Sequence, residues 1–188
     1  MKNILLTIFA LLSLAFVGLA IFAHSGAYPV GADVPHFKAT TDLLTYIREN
    51  SIESASAQIK VPDLSDPEML IRGGSGYAAM CASCHLRPAQ NESDLSRGLY
   101  PAPPNLANRA KERLSNRPAD YELARQFWII KHGIKASGMP AWGITHDDQR
   151  IWDMVAFLQK LPQLTPEQYQ IITGRTETAT PNEPHKEH

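Results

Sequence analysis

Cys81-Ala82-Ser83-Cys84-His85 places two thiols and an imidazole at a spacing with one well-defined chemistry. A C-x-x-C-H run is the attachment pattern of c-type haem. Two thiols can add across the two vinyl groups of one haem, and the intervening pair sets their reach. The next residue is an imidazole that can be held against one face of the iron. Other readings of these residues are weaker. A redox C-x-x-C calls for a βαβ context, and no strand-like run precedes Cys81. A structural zinc site wants four Cys/His ligands, and Cys81 and Cys84 are the only cysteines in the chain. A disulfide inside so short a loop would be strained. One covalently attached haem c, on Cys81 and Cys84 with His85 as an axial ligand, is therefore the expected cofactor.

A six-coordinate haem needs a ligand on its other face, and a Met/His pair raises the potential of the iron. Met139 is the candidate, within Ala136-Ser137-Gly138-Met139-Pro140-Ala141-Trp142-Gly143. Gly138 and Pro140 make this segment a loop, so the thioether can reach inward. Met1 belongs to the N-terminal apolar segment. Met69 and Met80 lie on the helix leading into the haem motif, and Met154 reads as core. His132 and His146 flank the loop and offer bis-His ligation as the alternative.

With these residues in place, the chain resembles a class I cytochrome c. Gly73-x-x-x-Tyr77-x-x-x-Cys81-Ala-Ser-Cys84-His85 is similar to that family's first helix, where a Gly and an aromatic pack on the C-terminal helix. Gly138-Met139-Pro140 resembles its distal-ligand loop, and Ile151-Trp152-Asp153-Met154-Val155-Ala156-Phe157-Leu158 its last helix. The resemblance spans about residues 66–162. Tyr28-Pro-Val-Gly-Ala-Asp-Val-Pro-His36 and His132–Trp142 also resemble membrane-anchored bacterial monohaem cytochromes. It implies an all-α fold around the haem. It also implies that the loop-rich stretch 86–118 wraps one side of the haem, where a backbone carbonyl within Pro101–Leu106 accepts from Nδ1–H of His85. Such a bond fixes the ring and makes the imidazole more basic. Asn105 reads as a turn residue.

Ile4 to Ala23 is a twenty-residue run without a charge. At about 1.5 Å per residue it measures about 30 Å, the thickness of a bilayer core. Lys2 precedes it, and no Lys or Arg follows until Lys38. The positive-inside bias then keeps the N-terminus cytoplasmic and exports the rest. Export suits the haem motif, because the families it resembles acquire c-type haem outside the bacterial inner membrane. The expected location is that membrane, with the haem domain facing the periplasm. The alternative is a signal peptide cleaved near Ala27, at Ser25-Gly26-Ala27, although the apolar run exceeds the usual signal length. The net charge is −1 over 188 residues. No basic patch marks a nucleic-acid partner.

The expected organisation is a membrane anchor or signal segment at 1–23 and a linker with a packing helix at 24–64. A haem domain at 65–163 and a polar, disordered tail at 164–188 follow. Leu43, Leu44, Ile47 and Ile52 predict an amphipathic helix over 41–58 that packs on the haem domain. Ser65 is expected to cap the next helix, with Pro67 in its first turn and Glu68 completing a capping box. Gly73, Gly74 and Gly76 weaken that helix and predict close approach by the last one. Tyr121–Lys131 is expected to be helical, capped by Asp120 and stopped by Gly133. Its Leu123, Phe127, Trp128 and Ile130 would supply core atoms and an aromatic wall beside the haem. Trp142 packs there or reaches a haem propionate through its indole N–H. The last helix is expected over Asp147–Leu161, ended by Pro162.

A haem with both axial positions filled by protein has no open site for substrate, so electron transfer is the expected function. The chain would then be a carrier rather than an enzyme, free or as the cytochrome subunit of a larger oxidoreductase. Its partners would be a redox donor and an acceptor, with Arg87, Lys131 and Lys135 as candidate steering charges. One alternative is a haem enzyme or a gas or peroxide sensor with an open distal position. Another is an N-terminal binding module in which His24 and His36 hold copper or dock a partner. For His36 the competing reading is a solvated loop histidine.

Overall fold

The computed structural model describes residues 1–108 and 118–174. They form eight α-helices and, among the described residues, no strand. These are α1 Lys2–His24, α2 Lys38–Ser56, α3 Pro67–Met80, α4 Ala82–His85, α5 Asp94–Gly98, α6 Ala119–His132, α7 Asp148–Lys160 and α8 Pro166–Gly174. The fold class is all-α.

The seam between α3 and α7 organises the core. Its close approach comes from the three glycines of α3. A Cβ on Gly73 would overlap the backbone carbonyl of Asp153, and one on Gly74 would lie 3.1 Å from the Phe157 ring. Tyr77, Met154, Val155, Phe157 and Ile151 fill the seam and are essentially inaccessible to solvent. Arg72 closes its edge on the buried Asp153 carboxylate, with Nε–Oδ2 at 2.7 Å and Nη2–Oδ1 at 3.1 Å. The start of α3 differs from expectation by one residue. Asp66, not Ser65, is the N-cap and accepts from the Glu68 amide at 2.9 Å. Ser65 instead donates its own amide to Asp63, and Pro67 opens the helix as expected.

α7 begins at Asp147, whose side chain accepts from the Arg150 amide at 2.8 Å, and passes into a single 3-10 turn at Leu161–Gln163. The chain does not become a featureless tail there. α8 turns back across α3, burying Tyr169 against Tyr77 and Phe157, and Ile172 meets Gly74. The expected polar tail from 164 is thus corrected over Pro166–Gly174. Its apolar residues are few, but they are placed where the α3 glycines leave room. Residues 175–188 lie outside the described residues.

α2 packs on α6 through its C-terminal half only. Ile52 and Ser56 are buried, whereas Leu43, Leu44 and Ile47 are 58%, 50% and 54% exposed. The amphipathic pattern therefore overstates the packed face. α1 buries no residue and is long and apolar enough to cross a membrane.

Candidate functional site

The C-x-x-C-H segment sits where α3 gives way to the single turn α4. The amides of Cys84 and His85 both donate to the Cys81 carbonyl, at 3.1 and 2.8 Å. Residues three apart on a turn share a face, so this winding directs both sulfurs to one side. Both thiols are free, and burial pushes Cys81 up to about 12. The turn ends at Leu86, with φ 71°, a conformation uncommon for a bulky residue. Tyr77 supports it from the core: its hydroxyl donates to the carbonyls of Leu86 at 2.6 Å and His85 at 3.1 Å.

The His85 ring is oriented by the loop that crosses over it. Nδ1 lies 2.9 Å from the Pro104 carbonyl. A carbonyl can only accept, so Nδ1 carries the proton and Nε2 is left with a free lone pair. Burial holds the ring below its ordinary pKa, against the opposing pull of the Pro104 carbonyl. The neutral, ligand-competent imidazole is therefore favoured. The Leu106 amide donates back to the His85 carbonyl at 3.1 Å. Asn105 accepts from the amides of Ala107 and Asn108, the turn role expected of it.

Cys81, Cys84, His85 and Met139 all border one cavity of about 610 Å³. That volume lies within the roughly 300–1,000 Å³ of pockets that take cofactor-sized ligands. Met139 reaches it from a loop that α6 delivers. Gly133 ends α6 at φ 64°, and a Cβ there would come 2.7 Å from the Met139 carbonyl. The Ile134 amide donates to that same carbonyl, and Ser137 Oγ accepts from the Met139 amide at 3.1 Å. Met80 also borders the cavity. Its methyl turns back on α3, 3.3 Å from where a Gly76 Cβ would stand. Met69 and Met154 are core. Two thiols, an imidazole with Nε2 free and a thioether around one cavity make a donor set that fits a haem.

Several expectations change here. The wall that α6 offers the cavity is not aromatic. It consists of Glu122, Arg125, Gln126, Ile129 and Ile130. Phe127 instead stacks on Trp152 at 4.1 Å in the core. Trp128, with Lys131 and His132, borders a smaller second cavity. His132 lies against Trp128, and His146 bonds Thr145 at 2.8 Å and abuts Trp142. Neither histidine borders the large cavity, whereas Trp142 does. Lys131 is paired with Asp148 at 2.6 Å. His36 accepts or donates at Nδ1 with the Tyr28 hydroxyl at 2.7 Å, and its ring meets Tyr100 edge-on. It is half-buried and held by these contacts. No group of three or more potential metal-binding side chains (His, Cys, Asp or Glu) occurs among the described residues.

The sequence reading missed the contribution of α2. Arg48, Glu49 and Ile52 border the same cavity as the cysteines. Arg48 at Nε donates to Glu49 Oε1 at 2.9 Å, and Arg125 at Nη2 to Glu49 Oε2 at 2.6 Å. Burial works against the Glu49 carboxylate, but the hydrogen bond from Arg48 and the charges of both arginines outweigh it and hold its pKa low. The alternation of charges at 48, 49 and 125 was the available signal, but its meaning depends on α2 lying across α6.

Residues 68–158, just under half of the chain, match the family described as cytochrome c oxidase, cbb3-type, subunit III. No curated protein and no solved structure matches the chain. The matched segment runs from the start of α3 through α7, so it contains the glycine seam, the C-x-x-C-H turn and the methionine loop. Over that segment the chain is a class I c-type cytochrome, with covalently bound haem c as its cofactor.

Proposed function

We propose that this chain carries single electrons between redox proteins on the periplasmic side of a bacterial inner membrane, alone or as the cytochrome subunit of an oxidoreductase. Cys81 and Cys84 hold the haem by thioether bonds. His85, through Nε2, and Met139, through its sulfur, would ligate the iron. The observation that carries this reading is that all four side chains border one cavity. Bound haem supplies one-electron exchange between Fe(II) and Fe(III).

The protein's own residues do the rest. Pro104 holds the His85 tautomer, and Tyr77 steadies the turn that carries it. Gly133 and Ser137 shape the loop that presents Met139. With protein on both axial positions, no site stays open for a substrate, which favours a carrier over an enzyme. The neutral thioether favours Fe(II) relative to a second imidazole. α1 tethers the domain to the membrane with the N-terminus in the cytoplasm, which raises its local concentration near membrane partners.

Redox titration of the purified full chain in detergent tests this reading. The expected result is one haem per chain, reversible one-electron behaviour, and a ferrous spectrum unchanged by carbon monoxide. Rapid carbon monoxide binding would contradict it and favour the open-site enzyme or sensor.

A further inference from the structure

Haem is an apolar disc with two carboxylates, and buried carboxylates need cationic partners. The large cavity offers few. Among the described residues that border it, Arg48 and Arg125 are the only Lys or Arg. They come from different helices, α2 and α6, and meet at Glu49, each through one nitrogen. Their side chains are 34% and 20% exposed. Each guanidinium carries further N–H groups beyond the nitrogen bonded to Glu49. Two half-buried cations thus border a cavity shared with the haem-attachment cysteines. Glu122 of α6 also borders it.

We propose that Arg48 and Arg125 bind the two haem carboxylates, with Glu49 holding the guanidiniums in position. This rests on the haem reading above and extends it to α2, which lies outside the segment 68–158 that matches the cytochrome family. The N-terminal extension is then part of the haem site and sets its potential. A cation near the iron opposes the extra positive charge of Fe(III), and an anion favours it.

The test is the ferric-to-ferrous ratio of the haem-loaded full chain, poised at the wild-type midpoint. Arg48→Gln and Arg125→Gln should each raise that ratio at least about threefold, equivalent to about 28 mV at 59 mV per tenfold. Glu49→Gln should lower it, and Arg48→Lys should stay near wild type. Opposite signs for Arg48→Gln and Glu49→Gln are expected, because mere loosening of one ion pair would move both the same way. Equal signs, or ratios unmoved in loaded variants, would overturn the proposal. If Arg125→Gln does not accumulate, Arg48→Gln carries the test alone. Haem content is measured on the same samples. A wild-type chain without covalent haem would overturn the haem reading itself, which an unmoved ratio in loaded protein would not.

Discussion

The two walls that meet around the cavity are built on opposite principles. The α3–α7 seam is dry and tight. Glycines let backbones touch, and Tyr77, Met154 and Phe157 fill what is left. The α2–α6 wall is half-exposed and polar, anchored by Ile52 and joined by the Arg48–Glu49–Arg125 cluster. The seam controls position, because a packed interior resists small displacements. The open wall controls charge, because its groups can face a ligand. One side of the site is thus a frame and the other an electrostatic environment.

Substitutions can break that contrast, beginning with the frame. Gly73→Val drives a side chain into the Asp153 backbone and should cost more than about 3 kcal/mol in denaturant unfolding. Gly98→Ala, with nothing within 4 Å of its Cβ, should stay within about 0.5 kcal/mol. If both behave alike, the seam is not the frame. On the open wall, Ile52→Ala should cost about 2–3 kcal/mol, while Leu43→Ala on the exposed half of α2 should be nearly neutral. A large Leu43 effect would mean that α2 packs along its whole length. Tyr77→Phe leaves the Leu86 carbonyl without its donor and should cost about 1–2 kcal/mol. The smallest effect is a pH dependence. Glu49 titrates lower in the folded chain than its ordinary 4.5. Its stabilising contribution is therefore present above about pH 4.5 and lost as pH falls through the lowered native value. Stability measured down this range should lose that component in Glu49→Gln. An identical pH profile for the variant would remove Glu49 from the wall.

The frame was legible in the sequence and the open wall was not. Gly73, Tyr77, the C-x-x-C-H turn and the Met139 loop are encoded at local spacings, and those spacings dictate which side chains share a face. The stretch that supplies the Pro104 carbonyl was expected from the resemblance to class I cytochromes c, not from spacing, and the residue within it was not legible. Aromatic residues on α6 gave no such guidance. Phe127 and Trp128 satisfy a helical pattern whichever way the helix rolls, and the Trp152 stack decided the roll. α8 escaped notice because its few apolar residues have value only against the room left on α3. Arg48 and Glu49 look like an ordinary solvated pair until α2 is laid across α6.

The axial pair is the centre of the account, and the ferric optical spectrum of the full chain tests it most directly. The account predicts a low-spin iron with the weak sulfur-to-iron charge-transfer band, lost in Met139→Ala while the haem stays covalently attached. A band that survives Met139→Ala would contradict it and turn attention to Met80, the other methionine bordering the cavity. A wild-type spectrum without the band would contradict it outright.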